Sequence, residues 1–443
     1  MSGTQGLSNV STRIQRIAEL ARQKPGVVLT ALAHHIDKEW LHEAYRRTRK
    51  DGAVGVDGET AEHYAIDLDG NLGKLLEHFK AGTYRAQPVR RVFIPKADGR
   101  QRPIGIPTFE DKVLQRAVLM VLEAVYEQDF LPCSFGFRPG RSAHQALEVA
   151  RDNLMNMGGG TVVEVDIKGF FDTVDHTILR GFLDKRIGDG VIRKMIDKWL
   201  AAGVMEEGRV HRSDLGTPQG GVISPILSNI YLHEVLDTWF AQQVKPIIRG
   251  RSFMVRYADD VLMAFSLESE AQRVMAVLPK RFGKYGLTLH PVKTRLIQFR
   301  PPKVRVKNDD VPTPERVSFD LLGFTHHWAV SRKGRWVIKR RTSAKSLKHT
   351  LTAINEWCRA QRHRPIPEQH EKLKLKLQGH AAYFGITGNS RSLNQVLDEV
   401  KAIWRTWLSR RSQRGCVNWE AFKRMLERFP LPCLITVHSE LRR

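Results

Sequence analysis

The chain is short of cysteine, of acid and of long apolar runs. Its 443 residues include four cysteines, Cys133, Cys358, Cys416 and Cys433, widely separated and with no Cys-x-x-Cys pair. That argues against a zinc site or a disulfide framework and points to a reducing compartment. No run of 18 apolar residues occurs, and the nearest, Ala117 to Tyr126, is broken by Glu123, which argues against a membrane-spanning helix. Met1 to Lys24 has no apolar core of the signal-peptide kind. The expectation is a soluble, cytoplasmic protein. No repeat period and no low-complexity tract stands out.

The scarcity of acid is the stronger signal. Asp and Glu number 47 against 71 Lys and Arg, for a formal charge of +24. An excess of this size predicts a polyanionic partner and salt-sensitive binding. Ser331 to Arg443 holds 25 basic residues against 8 acids, whereas the first 330 residues hold 46 against 39. A near-balanced body followed by a strongly basic part suggests a catalytic unit joined to one that grips a polyanion. The length permits more than one domain.

Periodicity predicts helices from about Lys38 to Lys50, Lys112 to Glu127, along an apolar face from position 223 to 240, and from Glu268 to Tyr285. Strands are expected at Arg90 to Ile94, Thr161 to Ile167, Leu287 to Leu289, Thr294 to Phe299, Phe319 to Thr325 and Arg335 to Arg340. Ala97-Asp98-Gly99 has the chemistry of a hairpin turn. Beyond Thr342 the pattern is helical to about Phe429.

What is present in the middle of the chain is Tyr257-Ala258-Asp259-Asp260, between the apolar segments Phe253 to Val255 and Val261 to Phe265. Two adjacent acids fall where two strands must turn. Aspartate favours turns, so the pair alone could be an ordinary turn. Phosphoryl transfer by two metals needs carboxylates from separate segments converging on ions about 3.5–4 Å apart. Asp166, ending a β-branched run, could supply the third; Asp172 and Asp175 compete with it nearby. Magnesium takes few carboxylates plus waters and substrate phosphates, so three aspartates suffice.

Three ordered blocks carry a resemblance. Val165-Asp166-Ile167-Lys168-Gly169-Phe170-Phe171-Asp172, then Thr217-Pro218-Gln219-Gly220-Gly221, then Tyr257-Ala258-Asp259-Asp260 resemble the polymerase-palm motifs of reverse transcriptases, and more narrowly of bacterial group II intron reverse transcriptase/maturases. Gly55-Val56-Asp57-Gly58 resembles that family's N-terminal extension. Ile94-Pro95-Lys96 and Arg102-Pro103-Ile104-Gly105-Ile106-Pro107 resemble its fingers, and Ser134-Phe135-Gly136-Phe137-Arg138-Pro139-Gly140 the block before the palm. Leu322-Gly323-Phe324 resembles the primer grip; Gly388-Asn389-Ser390-Arg391-Ser392 and Trp407 to Gln413 resemble the maturase, or thumb, domain.

The resemblance implies an α+β right-hand polymerase fold, with antiparallel sheet in fingers and palm, followed by a helical thumb. The implied divisions are 1–60 for the N-terminal extension, 61–160 for fingers, 161–330 for a palm with embedded fingers segments, and 331–443 for the basic thumb/maturase domain. It implies an RNA-directed DNA polymerase with two Mg²⁺ ions, Mn²⁺ being a possible substitute. The metal ligands would be Asp166, Asp259, Asp260 and the carbonyl of Ile167. Lys96 and Arg102 would hold the incoming triphosphate, and Gln219 its sugar or base. Phe171 would exclude a ribose 2′-hydroxyl, although core packing is the commoner fate of a Phe. Ala258 would leave room at the primer end, and Lys293 would protonate the leaving pyrophosphate. Partners would be dNTPs, an RNA template, the RNA/DNA hybrid and a group II intron RNA, with no membrane. Many relatives continue into an HNH endonuclease; the chain stops at Arg443 with no Cys/His cluster, so an endonuclease-lacking type is expected. Two alternatives stand beside this: a domesticated relative serving DNA repair or phage defence, and an RNA-binding maturase whose polymerase activity is secondary.

Overall fold

A computed structural model of the chain describes residues 2–95, 101–206, 209–211, 215–216, 220–302, 317–331, 333–412 and 416–438. The chain divides into two compact units, Met1–Leu296 and Ile297–Arg443. Eleven strands run through the described residues: β1 Val89–Pro95, β2 Gln101–Ile106, β3 Gly160–Val165, β4 Val204–Glu206, β5 Arg209–His211, β6 Ser252–Tyr257, β7 Asp260–Phe265, β8 Arg295–Phe299, β9 Ser318–Leu321, β10 Phe324–Val330 and β11 Trp336–Thr342.

In the first unit one sheet has the order β2-β1-β4-β5, and a second sets β6, β7 and β3 side by side in that order. The second sheet pairs β3 with β7 and β6 with β7 antiparallel, Val165 opposite Val261 and Tyr257 opposite Asp260. Both faces of β7 are covered, since Val261 to Phe265 are all buried, and a strand buried on both faces reads as a continuous apolar run. The first unit's core is organised on helix Phe109–Tyr126, which is buried nearly all round. Its N-cap Thr108 accepts from the Asp111 amide, and the Trp40 indole donates to its Ala117 carbonyl at 2.9 Å. Among the described residues no helix is long and apolar enough to cross a membrane.

The apolar face expected at 223–240 begins as α-helix Ser224–Leu232, then widens into π-helical turns at His233–Asp237 and Phe240–Val244. A wider turn admits an extra residue, so Asp237 can be buried among Val235, Leu236 and Trp239 and still meet a partner. Leu287–Leu289 forms no strand; only Leu289 bridges Ile167. The single strand expected over Phe319 to Thr325 is two strands, because Leu322 and Gly323 take left-handed φ values of 50° and 79° and turn the chain back. Positive φ at both central residues is what a tight hairpin needs.

The second unit carries the sheet β11-β10-β9 and helices Ala344–Ala360, Ile366–Phe384, Ser390–Ser409 and Trp419–Arg428. These four close on Leu373, Leu377, Leu393, Val396, Val400, Trp404 and Phe422. Arg405, Arg410, Arg411 and Arg414 are interleaved with aromatic residues in the sequence, and several of them are committed internally. Arg411 donates to the Arg362 and Arg364 carbonyls, and Arg405 and Arg410 lie over the rings of Trp419 and Trp407. Arg414 lies outside the described residues.

Candidate active site

Strands β6 and β7 are joined by a two-residue turn, Ala258-Asp259, and Asp260 opens β7. Ala258 is left-handed at φ 56°. Such a conformation costs an L-residue roughly 1–2 kcal/mol, so something outside the turn must impose it. Two neighbours do so. Arg256, fully buried, uses all five of its N–H donors. Two go to Asp237 at 2.8 and 2.6 Å, one to Asn229 Oδ1 at 2.9 Å, one to Ser134 Oγ at 2.8 Å and one to the Ala258 carbonyl at 3.1 Å. Behind the turn lies Gly136, where a Cβ would overlap the Ala258 nitrogen and stand 2.9 Å from the Tyr257 carbonyl carbon. Asn229 Nδ2 donates to the Gly136 carbonyl at 2.8 Å. None of Arg256, Asp237, Asn229, Ser134 or Gly136 was expected to act at the site. The legible signal was charge in the wrong place: Arg256 inside an apolar strand and Asp237 on an apolar helix face, each needing a buried partner.

Asp166 follows β3 directly, and one further step of the β3–β7 register sets it opposite Asp260. Its backbone is tied down by His290, whose N–H donates to the Asp166 carbonyl at 2.8 Å, and by Thr294, whose hydroxyl receives the Asp166 N–H at 3.3 Å. Its carboxylate accepts from Lys293 Nζ at 2.9 Å, both side chains partly exposed. Asp259 is half-buried, and that burial raises its carboxyl above the ordinary 3.8. Asp166 raises it further, while a backbone hydrogen bond, Arg102 and Lys293 lower it. Asp166, Arg102 and Lys293 are thus each within electrostatic reach of Asp259. Asp260 is exposed, and Ile167 is buried against Leu289.

Asp175 caps helix His176–Asp184, accepting from the Ile178 amide, which removes it as a competitor; Asp172 is exposed in the short helix Phe170–Thr173. Phe171 is half-buried, edge-on to Phe170 at 5.4 Å between ring centroids. Lys96, Gln219 and the Ala97-Asp98-Gly99 turn lie outside the described residues.

Among the described residues no three His, Cys, Asp or Glu side chains form a ready-made metal cage. A magnesium site needs none, since it uses one or two carboxylates and completes its shell with waters and substrate phosphates. Asp166, which raises the proton affinity of Asp259 and accepts from Lys293, makes with Asp259 a hard-oxygen donor set suited to a divalent cation. Acids from two strand ends with cationic side chains beside them are the kind of arrangement that metal-dependent phosphoryl transfer requires.

The reverse transcriptase (RNA-dependent DNA polymerase) family profile matches residues 94–326, more than half of the chain, and the chain belongs to that family. It is 38% identical over 235 residues to the group II intron-encoded protein LtrA of Lactococcus lactis subsp. cremoris, a match covering 52% of this chain and 38% of LtrA. It is 36% identical over 288 residues to protein YkfC of Escherichia coli K12, covering 57% of this chain and 75% of YkfC. It is 29% identical over 182 residues to nuclear intron maturase 2 of Arabidopsis thaliana, covering 32% and 24%. The LtrA match therefore leaves well over half of LtrA uncovered. The fold is accordingly the α+β fold of that family, with antiparallel sheets and a helical C-terminal part.

Proposed function

We propose that the chain is an RNA-directed DNA polymerase that adds dNTPs to a primer on an RNA template, and that it also assists the splicing and mobility of a group II intron as a maturase. The observation that carries the first part is the meeting of Asp166 with Asp259 at the ends of adjacent strands, beside Arg102 and Lys293. In this reading Asp166 and Asp259 hold two Mg²⁺ ions (or Mn²⁺), with the Ile167 carbonyl as a further oxygen ligand and Asp260 as the supporting acid. When bound there, such ions would lower the pKa of the primer 3′-hydroxyl and neutralise charge on the triphosphate. Arg102 and Lys96 grip the phosphates, Gln219 meets the sugar or base, and Phe171 stands under the sugar. Ala258 is small enough to leave the primer terminus room. Lys293, which donates to Asp166 at 2.9 Å, would protonate the leaving pyrophosphate.

The maturase part is supported by the names of the relatives and by the positive charge concentrated after residue 330. The division into N-terminal extension (1–60), fingers (61–160), palm (161–330) and thumb (331–443), and a cytoplasmic location, belong to the same proposal. The test is Asp259→Asn in parallel primer-extension and intron-splicing assays. Extension is expected to fall by roughly a hundredfold to a thousandfold, the loss seen when a main electrostatic contributor is removed, while splicing assistance persists. Extension at the wild-type rate would refute the assignment of the centre.

A further inference from the structure

The segment Ser134–Arg141 is among the most firmly held loops of the first unit, yet it displays an aromatic ring to solvent. Ser134 bridges Arg256 in parallel. The Phe135 N–H donates to the Arg256 carbonyl, and the Arg256 N–H to the Cys133 carbonyl, both at 2.8 Å. Phe135 is 2% exposed. Arg138 is anchored on the Glu127 carboxylate and on the Leu131 and Ser134 carbonyls. Between these two fixed points sits Phe137, 53% exposed and left-handed at φ 56°. A bulky residue at positive φ is an outlier, and outliers held by surroundings that over-determine them cluster at active sites and ligand clamps. Among the described residues no other ring packs on it, and about half of its surface stays in solvent.

The register says where the ring stands. The loop runs alongside β6 in the same direction, with residue 134 level with 256 and Gly136 against the Tyr257–Ala258 backbone. β6 turns back at Ala258-Asp259, whereas the loop continues, so Phe137 lies just past the turn that carries the acids. An aromatic face there meets whatever occupies the reacting end of the site.

We propose that Phe137 is a stacking platform for the terminal base pair of the primer–template duplex. This deepens the polymerase reading above and rests on it. Because every base has a π-face, the contact would steady the primer end without choosing a sequence. The left-handed backbone is then the means by which a rigid loop aims the ring outward instead of into the core.

The test uses the full chain with Phe137→Asn, which tolerates the left-handed backbone but lacks the ring, and Phe137→Tyr, which keeps it. Primer–template affinity is measured without nucleotide. Fluorescence of 2-aminopurine is read at the primer terminus and, as a control, several base pairs upstream; thermal stability is recorded alongside. The Asn variant is expected to bind about tenfold more weakly, as loss of one aromatic–base stack predicts, with unchanged or raised Tm. The terminal probe should lose its quenching while the upstream probe does not change, and Tyr should restore both signals. Wild-type affinity and quenching in the Asn variant would overturn the proposal. So would a fall in Tm that tracks the loss of binding, since the ring would then be structural. Failure of the wild type itself to extend a primer on RNA would instead refute the polymerase reading.

Discussion

Two hairpins of the molecule solve the same backbone problem by different means. The turn between β6 and β7 places Ala258 at φ 56°; the turn between β9 and β10 places Leu322 at 50° and Gly323 at 79°. In both, a side-chain donor reaches the carbonyl of the left-handed residue: Arg256 Nη1 to Ala258 at 3.1 Å, and the Tyr383 hydroxyl to Leu322 at 2.9 Å. The second turn uses a glycine of its own and a neutral donor. The first has no glycine, because its second position must be an acid. Its glycine is displaced onto the adjoining chain as Gly136, and its donor is a buried charge paired with Asp237. A turn that must present carboxylates gives up favourable turn chemistry, and its shape has to be imposed from outside.

The largest expected separation between the two turns comes from removing their donors. Arg256→Met leaves Asp237 buried and unpaired, which costs about 3–5 kcal/mol, and primer extension is expected to vanish with the turn's shape. Tyr383→Phe removes one neutral hydrogen bond and costs about 1 kcal/mol, read as a small shift in denaturant midpoint. The double variant Arg256→Met/Asp237→Leu removes both charges and is expected to regain most of the lost stability without regaining extension. If extension returned with stability, Arg256 would be a structural residue and not one that positions the catalytic turn.

Gly136 and Gly323 sharpen the same contrast. Gly136→Ala forces a Cβ into the Tyr257–Ala258 backbone, which cannot move without moving Asp259. Extension should drop at least tenfold, since a misplacement of about 1 Å can cost a hundredfold. Gly323→Ala meets the Ser346 hydroxyl at 3.0 Å, a side chain that can rotate away. Its main cost is the left-handed strain of roughly 1–2 kcal/mol. Its effect, from a turn resembling a primer grip, should fall on primer affinity and not on the rate at saturating primer. Equal losses of rate in both variants would erase the distinction.

These contrasts also mark what could be read from the sequence. Strand β7 was legible as an apolar run beside a turn, and the C-terminal part as helical to about Phe429 from its apolar spacing, though not as four separate helices. Asp166 and Asp259 stood out only in company: each alone could have been an ordinary turn or strand-end acid, and the ordered blocks around them carried the resemblance. The break at Leu322-Gly323 was missed because flanking β-formers ran through it and only the glycine hinted at a turn. The π-helical widening at His233–Asp237 was missed because apolar spacing tolerates an added residue. The Arg256–Asp237 clamp was present as two misplaced charges, but their partnership is a tertiary fact linking residues 19 apart. Likewise Gly136 has no local reason to be glycine; only the chain packed behind it supplies one.

The smallest effect concerns Asp259 itself, and its sign separates a catalytic acid from a structural one. Its carboxyl is raised above the ordinary 3.8, chiefly by burial and then by Asp166. A raised folded-state value means that the fold favours the protonated form. The associated stability is fully present below the unfolded value and is lost as pH rises through the folded one. At neutral pH the ionised Asp259 is therefore a net cost to folding. Asp259→Asn, which resembles the protonated acid, should raise Tm on the order of 1–2 °C at pH 7. The gap should close as pH falls toward the ordinary carboxylate value, even though the variant cannot extend a primer. Asp237→Asn should instead lower Tm at pH 7, because it disrupts two hydrogen bonds from Arg256. Melting both variants across a pH series decides it. A lower Tm for Asp259→Asn at neutral pH would mean that the turn is stabilised by its acid, and that the strain at Ala258 serves the fold before it serves the chemistry.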